Sequence, residues 1–265
     1  MKYLIINCSP HKGNSWLLAE QIKTEILCLS NNVVFKEIHL SDLNLPFCSG
    51  CSACFRKGHE YCPHYNTTQF LIDQIDWCDG VIFVSSTYNM QPNALTKNLI
   101  DHLCFMLHRP RFFTKKAFVI STTGGIGAKK TVKYITGTLK GLGFNKCYSL
   151  PVKSYSWNDY KIDYSMNKIC EKKAKKFHYE VSIKKLHAPT FSQVMIYNLF
   201  RGMSQAYVEG TAYETYDGVH WSDPERKKKT YDPKIHIPLY KSIIGRFFFR
   251  IAKKFSVKKI VTYKK

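Results

Sequence analysis

Strand-length apolar runs that alternate with helix-period segments constrain this chain more than any other feature. Residues 2–8 (Lys-Tyr-Leu-Ile-Ile-Asn-Cys) form the first run, which stops at Ser9-Pro10-His11-Lys12-Gly13-Asn14-Ser15 before helical spacing begins over residues 16–29. Similar runs recur at 33–40, 81–85, 117–121 and, more weakly, 146–151, and helical patterns lie at 68–78, 93–106 and 129–142. Parallel neighbours need crossover connections, and strands buried on both faces read as continuous apolar runs. The pattern predicts an α/β fold: a doubly wound, five-stranded parallel sheet that ends near residue 153. At 265 residues the chain holds one large domain with an appendage rather than two full domains.

The appendage shows as a change in pattern. A helix is expected over 164–186, with Lys172, Lys173, Lys175 and Lys176 in solvent, and Pro189 closes the main domain. The division is therefore a domain over 1–188 and a basic, aromatic-rich extension over 189–265. In the extension, 191–203 is apolar enough to dock, 207–238 is rich in aromatics and turn residues, and 239–255 returns to helical spacing. There Ile243, Ile244, Phe247, Phe248, Ile251 and Phe255 share one face, with Arg246 and Lys253 opposite and Phe249 on the polar side. Such a basic amphipathic helix suits an anionic membrane surface; the same face also suits packing on the main domain or on a second subunit.

Composition narrows the class. The chain is 45% hydrophobic and 22% charged, which rules out wholesale disorder. Its 40 Lys+Arg against 19 Asp+Glu give +21, of which residues 1–150 supply +7 and residues 151–265 supply +14. That balance favours phosphates, nucleic acid or acidic membranes. No nucleic-acid module is recognisable and the charge is dispersed, so nucleic acid ranks last. No apolar stretch reaches the ~20 residues of a membrane span, and the N-terminus does not read as a signal peptide. A cytoplasmic protein with reduced thiols is the expectation, and with it a homo-oligomer.

Ligands of open α/β sheets bind beyond the carboxyl ends of the strands. In the first loop Ser9, Asn14 and Ser15 offer side-chain donors, Gly13 allows close backbone approach, His11 and Lys12 add positive charge, and the following helix aims free N–H groups at the loop. A capped helix start uses similar residues. The loop lacks the glycines of the dinucleotide fingerprint and the Gly-Lys-Ser/Thr ending of the triphosphate loop, which leaves flavin mononucleotide (FMN) with its single phosphate. Two later loops lie where the flavin ring would rest: Ser86-Thr87-Tyr88-Asn89-Met90-Gln91-Pro92 and Thr122-Thr123-Gly124-Gly125-Ile126-Gly127. Thr87, Tyr88, Asn89 and Met90 are candidates to flank the ring. Thr123, Gly124 and Gly125 are candidates to support its polar edge, where negative charge develops on reduction.

These motifs together resemble the NAD(P)H-dependent FMN reductase family of flavodoxin-like proteins, and within it the iron-sulfur flavoproteins, over roughly residues 1–150. Ser9 to Ser15 is similar to the family's Ser-Pro-Arg-x-Gly-Asn-Ser loop, with His11 in place of Arg. Asp79-Gly80-Val81-Ile82-Phe83 leading to Tyr88, Lys97 and Asp101 resembles its stretch around the third strand. Departures are Ser86 for a proline, His102 for an arginine and Asn66-Thr67 for an acidic pair. Cys48, Cys51, Cys54 and Cys62 read as C-x2-C-x2-C-x7-C followed by Pro63. That spacing can hold a [4Fe-4S] cluster, as it does in the iron-sulfur flavoproteins it resembles; zinc and unmetallated thiols remain as alternatives. The other six cysteines fall in expected strands and helices and read as small core residues. The resemblance implies an FMN-dependent oxidoreductase that takes electrons from NAD(P)H or another donor to a small acceptor or the cluster. A non-catalytic electron carrier or redox sensor built on the cysteines is the alternative.

Overall fold

The computed structural model describes residues 1–264. Its elements in chain order are β1 (Lys2–Asn7), α1 (Asn14–Leu29), β2 (Val34–His39), α2 (Ala53–Arg56), α3 (Tyr65–Trp77), β3 (Gly80–Tyr88), β4 (Gln91–Pro92), α4 (Ala94–His102), α5 (Phe105–His108), β5 (Lys116–Thr123), α6 (Ala128–Gly141), β6 (Lys146–Lys153), α7 (Tyr164–Ser182), α8 (Phe191–Met203), α9 (Tyr216–Ser222), α10 (Pro224–Lys227) and α11 (Leu239–Lys258). The main sheet runs β2-β1-β3-β5-β6, all parallel, and β4 adds a two-residue antiparallel pairing to β3. The order reverses between β1 and β3, which makes that crevice the switch point of the sheet.

Alternation along each central strand explains why the runs are apolar throughout. Leu4, Ile6, Val81, Phe83, Ala117 and Val119 pack on one face with Leu71, Ile72 and Ile75 of α3 and Val132, Ile135 and Leu139 of α6. Tyr3, Ile5, Ile82, Val84, Phe118 and Ile120 pack on the other, under α1 and α7. Every central position is thus buried on one side or the other, and neither face is left for water.

Three elements differ from the sequence expectation. β3 continues past Ser85 through Ser86 and Thr87 to Tyr88, because buried hydroxyls there are paired: Ser85 Oγ with Thr96 Oγ1 at 2.8 Å and Thr87 Oγ1 with Ser121 Oγ at 2.8 Å. The helix expected over 93–106 is two, α4 and α5, with Asn93 capping the first by accepting from the Thr96 N–H. The third concerns α11. It is most deeply buried on α8 at Gly245, Ala252 and Ser256; of the apolar arc read from the sequence, Ile244, Phe248 and Ile251 are half-buried, and Ile243, Phe247 and Phe255 stay exposed. Phe249, expected on the polar side, is half-buried with the Arg201 guanidinium 4.2 Å from its ring. Among the described residues no helix is long and apolar enough to cross a membrane.

Candidate functional site

A cavity of about 490 Å³ opens at the carboxyl ends of β1, β3, β5 and β6. It brings together Ser9, His11, Gly13, Asn14 and Ser15 from the first loop, Thr87, Tyr88 and Asn89 from the end of β3, and Thr123 and Gly124 from the end of β5. Met90 and Gly125 stand outside the lining. Asn89 and Met90 both have positive φ (47° and 63°), the backbone of a tight hairpin turn between β3 and β4, and Gly127 packs against it: a Cβ at Gly127 would lie 2.7 Å from Met90 Cα.

The walls are fixed by hydrogen bonds between loops. Asn7 Oδ1 accepts from the Ser9 N–H at 3.1 Å, and Ser9 Oγ accepts from the Ser86 N–H at 2.8 Å, which leaves the Ser9 hydroxyl hydrogen to be donated. Ser15 is buried and pairs with Thr122 Oγ1 at 2.6 Å. Asn14 Nδ2 donates to the Ser156 carbonyl at 2.9 Å, so this side chain ties the first loop to the one after β6. Helix α1 starts with Gly13 as its N-cap and no side-chain cap; its first N–H groups therefore lack an intrahelical acceptor. Uncapped donors and the positive end of the helix dipole, facing hydroxyl-bearing loops, make an anion seat.

Five lining residues are not among the candidates: Ser86 and Thr122, which stand in the two loops expected at the ring, and Ser154, Ser156 and Trp157. The last three follow β6, whose carboxyl end lies on the same sheet edge; counting that strand's exit with the others would have found them. Ser154 Oγ donates to the Thr123 carbonyl at 3.1 Å, and the Trp157 ring lies 3.3 Å from where a Cβ on Gly124 would stand. At 92% exposure the Trp157 indole borders the mouth of the cavity rather than any core.

The cysteine segment leaves the same sheet edge after β2. Its backbone is pinned from several sides. Asn98 accepts from the Cys48 N–H and donates to the Leu45 and Pro46 carbonyls, each at 3.1 Å. His102 donates from Nδ1 to the Asn98 carbonyl at 2.9 Å, which leaves its Nε2 to accept from His64 Nδ1 at 2.8 Å, two residues after Cys62. Arg109 donates to the Cys54 carbonyl at 2.8 Å and is itself paired with Asp217 of α9, in the extension. Cys48 and Cys51 are exposed, Cys54 and Cys62 half-buried. Burial, then the neighbouring Cys62 thiol, pushes Cys54 up to about 11, and Cys48 and Cys51 add to it. Four thiols thus lie within one pinned loop, and thiolates are the donors that iron-sulfur clusters take. Among the described residues no three of them stand in ligand geometry.

Comparison with known proteins agrees with this geometry. The NADPH-dependent FMN reductase family matches residues 1–149. An iron-sulfur flavoprotein of Clostridioides difficile (strain 630) is 30% identical over 192 residues, covering 72% of this chain and 83% of that protein. One from Archaeoglobus fulgidus is 34% identical over 101 residues, 38% of this chain and 48% of its own length. Among solved structures, an NADH:FMN oxidoreductase superposes with a TM-score of 0.51 at 19% identity over 72% of this chain and 97% of its own. An azoreductase from Bacillus anthracis str. Sterne gives 0.50 at 14% identity over 69% and 99%. The two structures share the flavodoxin-like fold. Since the family match spans more than half of the chain and the clostridial relative extends it, this chain belongs to the NADPH-dependent FMN reductase family and is a flavin oxidoreductase whose cofactors are FMN and NAD(P)H.

Proposed function

We propose that FMN occupies the 490 Å³ cavity, that NAD(P)H reduces it there, and that the electrons leave for a small acceptor or for a [4Fe-4S] cluster held by Cys48, Cys51, Cys54 and Cys62. The observation that carries the reading is the cavity's position: it lies at the switch point of the sheet, over the uncapped start of α1, within the ~300–1,000 Å³ typical of cofactor sites. When bound, FMN supplies hydride acceptance and transfer of electrons singly or in pairs, and a cluster supplies single-electron transfer.

The chain's own residues seat and orient. Ser9, through its free hydroxyl hydrogen, and the first N–H groups of α1 hold the phosphate, with His11 beside them at the exposed rim. Asn14 and Ser15 act one step back, fixing the loop against Ser156 and Thr122. Tyr88, half-exposed at the lip, and the turn at Asn89 flank the ring, while Thr123 and Gly124 lie against its polar edge. No general acid or base is assigned: the lining carries the His11 imidazole and the Tyr88 hydroxyl, and the open mouth gives protons a route to solvent.

The test uses anaerobically purified protein. Stoichiometric flavin, iron and sulfide, together with NADH or NADPH oxidation in the presence of a quinone, are expected. Ser9→Ala removes a hydrogen bond to a charged group and leaves the Ser86 N–H unpaired, so FMN binding is expected to weaken by about 1.5–3 kcal/mol, tenfold or more. Unchanged affinity removes Ser9 from the phosphate seat. Bound flavin without NAD(P)H turnover favours the electron-carrier alternative.

A further inference from the structure

The outer face of the extension is unlike the rest of the surface. Helices α8 and α11 approach closely because small residues meet: a Cβ on Gly202 would fall 2.5 Å from the Phe249 carbonyl oxygen and 2.8 Å from Ala252 Cβ, and one on Gly245 would fall 2.8 Å from Asn198 Nδ2. That contact fixes the rotation of α11 about its axis. It turns Tyr240, Ile243, Phe247 and Phe255 outward, at 60%, 55%, 58% and 60% exposure. Phe191, at the start of α8, continues the patch through Phe248, 5.9 Å from Phe191 and 5.6 Å from Phe247. Exposed apolar side chains in such a continuous group mark an interaction surface.

The charge around the patch identifies what it meets. Residues 233–265 contain ten Lys and Arg and no Asp or Glu. Arg246, Arg250, Lys253, Lys254 and Lys258 of α11 are all exposed, and helical spacing sets Arg250, Lys254 and Lys258 on the side of Ile243 and Phe247. We propose that this face lies on the surface of an anionic lipid bilayer, with Phe and Ile side chains at the level of the headgroups and acyl chains and the basic side chains among the phosphates. A second copy of the same face is a poor partner, since a two-fold contact would set these cations against one another with no carboxylate to neutralise them. Anionic headgroups neutralise them all. The binding is peripheral: the 20 residues of α11 are too polar to span, and lie along the surface.

The experiment is cosedimentation of the full chain with vesicles of phosphatidylcholine alone and of equimolar phosphatidylcholine and phosphatidylglycerol, at low salt and at about 0.15 M salt, where charges are screened beyond ~8 Å. Binding is expected to the anionic vesicles only and to weaken with salt. The exposed double variant Ile243→Ser/Phe247→Ser and the charge-reversed Arg250→Glu/Lys254→Glu should each lower partitioning at least tenfold, while flavin content, which reports folding of the main domain, stays at the wild-type level. Recovery of the wild type in the supernatant at low salt, equal binding to neutral vesicles, or full binding by the Ser variant overturns the proposal. So does sedimentation equilibrium showing a wild-type dimer that the Ser variant converts to monomer without any vesicle binding, which assigns the face to self-association.

Discussion

Removing the Asp217 carboxylate tests how firmly the extension is joined to the cysteine loop. Asp217 pairs with Arg109, and the side chains are only 8% and 6% exposed. Its second oxygen accepts from His108 Nδ1 at 2.6 Å; burial and then the Arg109 charge push His108 down to about 4, so the imidazole is a neutral donor. Arg109 in turn holds the Cys54 carbonyl. Asp217→Ala leaves a buried guanidinium without its counter-charge, and breaking a buried pair in this way costs about 3–5 kcal/mol. Against a total of roughly 5–15 kcal/mol for a domain, that is a large fraction. Urea unfolding of the reduced, metal-free protein should therefore show a much lower midpoint at an unchanged slope. The double replacement Arg109→Met/Asp217→Leu removes both charges and should lose clearly less than Asp217→Ala alone. A loss below about 1 kcal/mol for Asp217→Ala is what a solvent-exposed pair gives, and would refute the account of a buried clamp.

Gly127→Ala should destabilise the protein by more than about 1 kcal/mol and lower flavin retention, because φ is +107° and the new Cβ would meet Met90 Cα at 2.7 Å; a thermal midpoint equal to wild type refutes this. Stability should fall between pH 9 and pH 10. Burial raises the Cys8 thiol well above its ordinary value, Cys78 to about 12 and Cys170 to about 11, whereas in the unfolded chain all three ionise near 9. Their contribution is complete below pH 9 and is lost as pH rises toward the folded values, at about 1.4 kcal/mol per thiol by pH 10. Lys116, pushed by burial down to about 8, works in the opposite sense over the same range and offsets about half of that loss. Urea midpoints should decline with pH less steeply in Cys78→Ala than in wild type, and parallel profiles would remove the thiols from the explanation. Cys51→Ser/Cys54→Ser should abolish iron incorporation while FMN stays bound, since the thiols follow β2 and none of them lines the flavin cavity; iron retained at wild-type stoichiometry refutes the ligand set.

What was legible in the sequence follows from which physical signals survive in one dimension. The central strands were readable because both faces are buried, so that Leu4 to Ile6 or Val81 to Val84 show no polar break. The polar end of β3 beyond Ser85 was not, because Thr87 sits in the strand by virtue of partners on β5 and α6. Ten of the twelve flavin-site candidates line the cavity, since loops at neighbouring strand ends must converge at one edge. Ser154, Ser156 and Trp157 escaped notice because no glycine or charge marks their loop; only the hydrogen bonds from Asn14 and to Thr123 give it a place in the wall. The setting of α11 was hidden for a different reason. Hydropathy ranks Phe247 and Phe255 above Gly245 and Ser256, but the distance at which two helices can pack is set by the side chains at their contact, and α8 presents Gly202 there.

The same contacts separate the roles of the two parts of the chain. All the lining of the flavin cavity lies between Ser9 and Trp157, and both large core clusters close within residues 1–181. The extension adds nothing to that cavity. It meets the cysteine loop instead: Asp217 neutralises the arginine that holds Cys54, the His108 ring stacks on Phe200 of α8 and lies tilted 4.5 Å from Phe55 of α2, and the Arg56 guanidinium lies 5.1 Å from the Tyr263 ring. These aromatic side chains cover one side of the loop, next to Cys54, while Cys48 and Cys51 stay exposed. On the proposed reading, flavin binding belongs to residues 1–188, whereas the surroundings of the thiols are shared with the extension. With the proposed lipid contact, the same extension would tie the position of the chain to the cysteine loop rather than to the cavity.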